Sequence, residues 1–230
     1  MCGDTQVRFL GGKGAVRLPT YPTSNISKRS TDFSIVVLCS RGGIKMAKEI
    51  YEECPTFKKK LITLRQTNIE DTPDLLKCYS DEKAVPFFNS DNCDGDDFHY
   101  TSIERMKKAI DFWNFSYEIK YFVRWTVILN DTNEKIGTIE MFHRIAEDEF
   151  NHYGLLRIDL QSIYETEPII DEILEIAKEN FYMAFDVKAI LTKAISDANE
   201  RITSLVKKGF QPINRKFITY DDYFIRHEVK

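Results

Sequence analysis

The stretch Gly154–Phe181, GLLRIDLQSIYETEPIIDEILEIAKENF, constrains this chain more than any other. Leu155, Leu156, Ile158 and Leu160 make an apolar run with the length and bounds of a strand. A polar break, Gln161 to Glu167, leads to Pro168, a residue that a first helical turn accepts. Beyond it Ile169, Ile170, Ile173, Leu174, Ile176, Ala177 and Phe181 recur at spacings of three and four, one broad face of a helix. Strand, short turn and helix is the unit in which main-chain N–H groups at a helix start can hold a phosphate.

The remaining chain is ordered around that unit. Six of its ten glycines, Gly3, Gly11, Gly12, Gly14, Gly42 and Gly43, precede residue 56, with Pro19, Pro22 and a Ser/Thr-rich piece. This reads as a poorly ordered arm over 1–56, followed by one domain over 57–230. The apolar run Phe33–Cys39 within the arm is far short of the roughly 20 residues of a membrane span. Arg41-Gly42-Gly43-Ile44-Lys45 before Met46 can be encoded by a purine-rich string, so the arm reads either as a translated ribosome-binding site or as a glycine turn.

From Phe57 the pattern is regular. Strands are expected at LITLRQT from Leu61, Phe122–Leu129, Lys135–Phe142 and Ala189–Ile195, with one more or a hairpin within Phe217–Val229. Asn130–Asn133 is turn chemistry, so the strands flanking it form a hairpin. Helices are expected after Asn68 or Asp71 with Pro73 in the first turn, over Thr101–Tyr117, and over Asp197–Lys208, stopped by Gly209. A net charge of −4 without a long basic cluster argues against nucleic acid as a partner. Five scattered cysteines without a CxxC pair read as reduced thiols of a cytoplasmic protein. No metal site is expected. His99, His143 and His152 lack ligand spacing, and placing Gly95 at the sixth position of a calcium loop puts Ser90 first and Thr101 twelfth, where Asp and Glu are needed.

The order of elements and the segments LITLR with NIEDTPDLL, EKIGTIEMF, LLRIDLQSIYETEPIIDEIL and ERITSLVKKGF resemble the GNAT superfamily of acyl-CoA-dependent N-acyltransferases, over about Lys60–Lys230. The likeness is strongest to the branch that acetylates N-terminal amines of ribosomal proteins and to relatives that modify small amines. The fold it implies is α+β: a three-layer arrangement with a mixed, mostly antiparallel sheet of six to seven strands flanked by helices. The activity it implies is transfer of an acetyl group from acetyl-CoA to a small-molecule amine or a peptide N-terminus, by a monomer or homodimer with no membrane partner. In such enzymes the central strand splays from the next, and the pantetheine lies in the gap against main chain. That places Leu160, Gln161, Ser162, Tyr164, Thr166, Pro168 and Ile169 at the cofactor, with Asn199 on the later helix.

The chain departs from the family pattern at the phosphate loop. Ser162–Pro168 contains no glycine, adds Glu165 and Glu167 beside the anion, and loses a donor at Pro168. Arg201 stands where many members carry Ser, and Val206 where some carry a Tyr that protonates the leaving thiolate. The candidate catalytic residues are Glu140, a strand carboxylate that either takes the amine proton or pairs with an Arg or Lys, and Asp159, either catalytic or ion-paired with Arg124 or Arg144. A GNAT-fold module without turnover, sensing a ligand or binding a protein, is the alternative reading.

Overall fold

A computed structural model describes residues 50–93 and 95–229 of the chain. The glycine-rich piece before residue 50, with its Phe33–Cys39 run and the Met46 reading, lies outside the described residues. Of the arm expected to reach residue 56, Ile50–Thr56 are described, and they pack on the domain. Ile50 is buried, its carbonyl accepts the Tyr117 hydroxyl at 3.0 Å, and Pro55 accepts the Trp125 indole N–H at 2.9 Å.

The elements in chain order are β1 (Phe57–Lys58), β2 (Ile62–Gln66), α1 (Thr72–Tyr79), α2 (Ile103–Glu118), β3 (Val123–Leu129), β4 (Lys135–Arg144) and β5 (Tyr153–Leu160). Then follow α3 (Glu167–Ala184), β6 (Ala189–Lys193), α4 (Asn199–Lys207), β7 (Gln211–Pro212) and β8 (Tyr223–His227). The strands form one sheet in the order β1-β2-β3-β4-β5-β6-β8-β7. Among the described residues eight strands replace the six to seven expected, because β1 and β7 are two-residue pieces, too short for a period-two signal to register. Every pairing is antiparallel except β5 with β6. That pair must be parallel because α3 carries the chain back across the sheet between them.

Alternation along the strands divides the core. Ile62, Leu64, Trp125, Val127, Ile139, Met141, Leu156, Ile158 and Leu160 meet Ile170, Ile173, Leu174, Ala177 and Phe181 of α3 on one face. All seven apolar positions of the expected α3 face are buried. On the opposite face Leu75, Cys78, Tyr79, Met106, Ile110 and Trp113 of α1 and α2 form a second cluster. Intervening strand residues point beneath α1 and α2, and several are polar: Arg124, Thr126, Thr138, Glu140 and Asp159 are all buried.

α1 is entered through a turn at Ile69–Asp71 that Asn68 caps. The Asn68 side chain accepts from Glu70 N at 3.0 Å, while Asp71 accepts from Asn68 N at 3.1 Å. This reciprocal pair satisfies donors that a helix start leaves free. Asn68→Ala is therefore expected to cost about 1 kcal/mol, read as a lower urea midpoint at unchanged slope. At the far end of α4, Gly209 at φ +85° turns the chain out of the helix, as expected.

Candidate functional site

A wedge opens between β5 and β6. The two strands pair only at Gly154–Leu156, opposite Ile190–Thr192, and β5 then runs on to Leu160 without β6. On its other side β5 stays paired with β4, and Gln161 N donates to Ile136 O at 2.9 Å. Main-chain groups of successive strand residues point to opposite neighbours, so those of Ile158 and Leu160 point into the wedge. At its mouth a single tight turn, Ser162–Tyr164, leads to Thr166, which precedes α3 without a side-chain cap bond.

The sequence-predicted cofactor residues gather at this mouth, with two qualifications. Leu160, Gln161 and Ile169 are buried, and the Gln161 side-chain amide donates to Lys135 O at 3.4 Å. Ser162, Thr166 and Pro168 line the approach to α3. The Tyr164 hydroxyl, however, is bonded to Glu134 at 2.8 Å beside the β3–β4 turn. Asn199 opens α4, and it is the next residue, Glu200, that reaches across to the α3 start.

The chain's own side chains reach the mouth of the wedge. Asp81, just after α1, accepts the Ser162 N–H at 2.8 Å, and Glu200 accepts the Glu167 N–H at 3.0 Å. Arg201, fully buried, grips Glu165 at 2.6 and 2.8 Å and donates to Phe87 O at 3.0 Å. Asn89 N donates to Asp159 Oδ1 at 3.3 Å. Asp91 takes Lys193 Nζ at 2.6 Å and the Tyr223 hydroxyl at 3.2 Å, and its carbonyl accepts from Arg157 at 3.3 Å. Asp81, Phe87 and Asn89 carried no sequence signal, since a loop residue reveals nothing of contacts made 70 to 114 positions away. Arg201 did carry one, as an unusual residue for its place.

Beneath α1 and α2 lies an ionic cluster. Arg124 donates to Glu140 Oε2 at 2.5 and 3.1 Å, to Asp159 Oδ2 at 3.2 Å and to the Tyr79 hydroxyl at 2.8 Å. Arg157 holds the other Glu140 oxygen at 2.5 Å. Tyr79 also donates to Asp159 at 3.1 Å, and the Trp113 ring stacks 4.2 Å from the Arg124 guanidinium. Burial pulls the Glu140 carboxyl upward, but the two guanidiniums outweigh it and hold the group below the ordinary carboxylate range. Asp159 goes the other way: burial dominates over its longer contact with Arg124, and its proton affinity is raised. Two neighbouring carboxylates thus have divergent acidities.

An open cavity of about 490 Å³ lies beside this cluster, lined by Ser90–Cys93, Gly95–Asp97 and Tyr220. Asp91 and Asp96 on its rim are already paired, with Lys193 and Arg105. Among the described residues no group of three or more His, Cys, Asp or Glu side chains is placed to hold a metal ion. His143 and His152 contact each other at 2.8 Å across the β4–β5 connection. Cys54, Cys78 and Cys93 are free thiols, and burial pushes Cys93 up to about 11. No helix among the described residues is long and apolar enough to cross a membrane.

No family model matches the chain. A curated relative, the uncharacterised N-acetyltransferase YoaA of Bacillus subtilis, is 28% identical over 93 residues, which are 40% of this chain and 48% of the relative. The match therefore spans about half of that relative's length. Among solved structures, a ribosomal-protein-S5-alanine acetyltransferase from Vibrio fischeri superposes with a TM-score of 0.59 at 15% identity, over 76% of this chain and 97% of its own. A GNAT-family acetyltransferase from Bacillus anthracis gives 0.57 at 13%, over 76% and 99%. The ribosomal L7/L12 α-N-protein acetyltransferase RimL, solved with coenzyme A, gives 0.51 at 13%, over 74% and 95%. The chain has the fold of the GNAT acetyltransferases.

Proposed function

We propose that this protein is an acetyl-CoA-dependent N-acetyltransferase whose acceptor is a primary amine, either of a small molecule or of a peptide N-terminus. The observation that carries the reading is the wedge beside Leu160, where a strand leaves its neighbour while the sheet continues on both sides. Main-chain groups of Ile158 and Leu160 are suited to pair with an extended amide-bearing arm, as an added strand would. Acetyl-CoA supplies an activated thioester, and the chain's own task is to align the acceptor and take its proton. Of the two carboxylates, Asp159 suits proton uptake better, because burial raises its proton affinity whereas Arg124 and Arg157 lower that of Glu140. Glu140, held ionised by Arg124 and Arg157, orients the cluster and keeps Arg124 in place.

The reading is tested by calorimetric titration with acetyl-CoA and by thiol release across a panel of amines and peptide N-termini. Heat on binding, and thiol release that Asp159→Asn lowers by about 10²-fold or more, are expected. Absence of both heat and thiol release contradicts it. One observation favours a second reading, a binding module without turnover: Asp81 and Glu200 already accept the Ser162 and Glu167 N–H groups that the acetyl-CoA reading assigns to the cofactor's phosphates, and Arg201 is paired with Glu165. Heat without thiol release on any amine is the result that reading expects.

A further inference from the structure

We propose that the segment Asp81–Asp91 is an occluding strap across the wedge, with the carboxylates of Asp81 and Glu200 seated as internal substitutes for the phosphate oxygens of a nucleotide-bearing ligand. The inference rests on the acetyl-CoA reading for the identity of that ligand, but the strap is defined by the chain's own contacts. Its polar anchors reach four separate elements: Ser162 in the turn before α3, Arg201 on α4, Asp159 on β5 and Lys193 on β6.

The chemistry of the two carboxylates is that of an anion at a helix start. A carboxylate oxygen on a main-chain N–H makes the same charge-assisted bond that a phosphate oxygen makes. The Ser162 and Glu167 donors are thus taken, and Pro168 offers none. Arg201, a cation that reaches this turn, is spent on Glu165 and on the strap carbonyl of Phe87. A phosphate-bearing ligand must displace Asp81 and Glu200 before it is held.

Opening the strap also changes the reaction centre. Asn89 donates its N–H to Asp159 Oδ1, so when the strap lifts, that oxygen is released to accept another proton. Cofactor seating and exposure of the proton acceptor then become one event. Phe88, buried in the α1/α2 core between the anchors at Phe87 and Asn89, holds the closed form as the ground state. Apparent affinity for the ligand falls in proportion to the small open fraction.

The test compares wild type with Asp81→Asn/Glu200→Gln, titrated with CoA and, separately, with inorganic pyrophosphate, after thermal melts confirm folding. Both probes are expected to bind the variant about tenfold more tightly, because the neutral side chains compete less well for the N–H groups. Asp81→Glu, which retains the charge, is expected to give no gain. Equal affinities of wild type and double variant for both probes overturn the strap while leaving the acetyl-CoA reading standing if CoA binds. A gain for pyrophosphate with no binding of CoA to either protein supports the strap and removes the transferase reading. Failure of both probes on both proteins overturns the strap.

Discussion

Arg124→Met is expected to destabilise the protein by about 3–5 kcal/mol, the cost of removing one partner from a buried charge cluster. Arg124 is 3% exposed and is bonded to Glu140, Asp159, Tyr79 and Thr138 at once. Its loss leaves Asp159 with only Tyr79 and the Asn89 N–H, and Glu140 with Arg157 alone. The stranded carboxylates, rather than any lost attraction, set the size of the effect. Urea unfolding at pH 7 measures it.

The sign of its pH dependence follows from the two carboxylates. Glu140 is held below its ordinary value of 4.5, so its stabilisation is present above that value and is lost as pH falls through its folded value. Asp159 is raised above 3.8, so its contribution is full below that value and is lost as pH rises through its folded value. Without Arg124 both are pushed further towards protonation. The deficit of Arg124→Met is therefore expected to be largest at neutral pH and to shrink as pH falls below about 5. A deficit that stays constant over that range contradicts the assignment.

Gly137→Ala is expected to cost about 2–4 kcal/mol, from clash at a special backbone conformation. Gly137 has φ +156°, and a Cβ there lies 2.1 Å from Asp159 O and 2.8 Å from Leu160 Cα. Both are main-chain atoms of β5, so no side-chain rotation relieves the contact, and the Gly137–Leu160 register must open. Because that register sets the wall of the wedge, ligand binding should fall with stability. Gly95→Ala is the comparison: φ is +85°, yet nothing lies within 4 Å, leaving only the left-handed backbone penalty of about 1–2 kcal/mol. Equal melting-temperature losses for the two variants contradict the close-approach argument.

What was legible in the sequence followed from short-range periodicity. The Ile169–Phe181 spacing specified α3 and its buried face, Asn130–Asn133 joined β3 to β4, and Pro73 and Gly209 marked helix ends. The unusual charges on β4 and β5 pointed to Arg124 or Arg144 as a partner of Asp159, because an ionised group among Leu156, Ile158 and Leu160 needs a countercharge; Arg124 is that partner, and Arg144 pairs with Asp148. What stayed hidden depends on contacts between distant segments. Nothing in Asp81–Asp91 indicates that it crosses β5, and nothing in Arg157 indicates that it shares Glu140 with Arg124. Arg201 was visible as an exception at its position, but its descent to Glu165 and Phe87 requires the loop geometry.

The central claim is that the free edge of β5 beyond Leu156 receives an extended arm of acetyl-CoA. Amide hydrogen exchange, read residue by residue with and without the ligand, tests this most directly. Ile158 and Leu160, whose main chain faces the wedge, should exchange more slowly when acetyl-CoA is bound. Arg157 and Asp159, already paired to β4, should not change. Unaltered exchange at Ile158 and Leu160 under saturating acetyl-CoA would contradict the account.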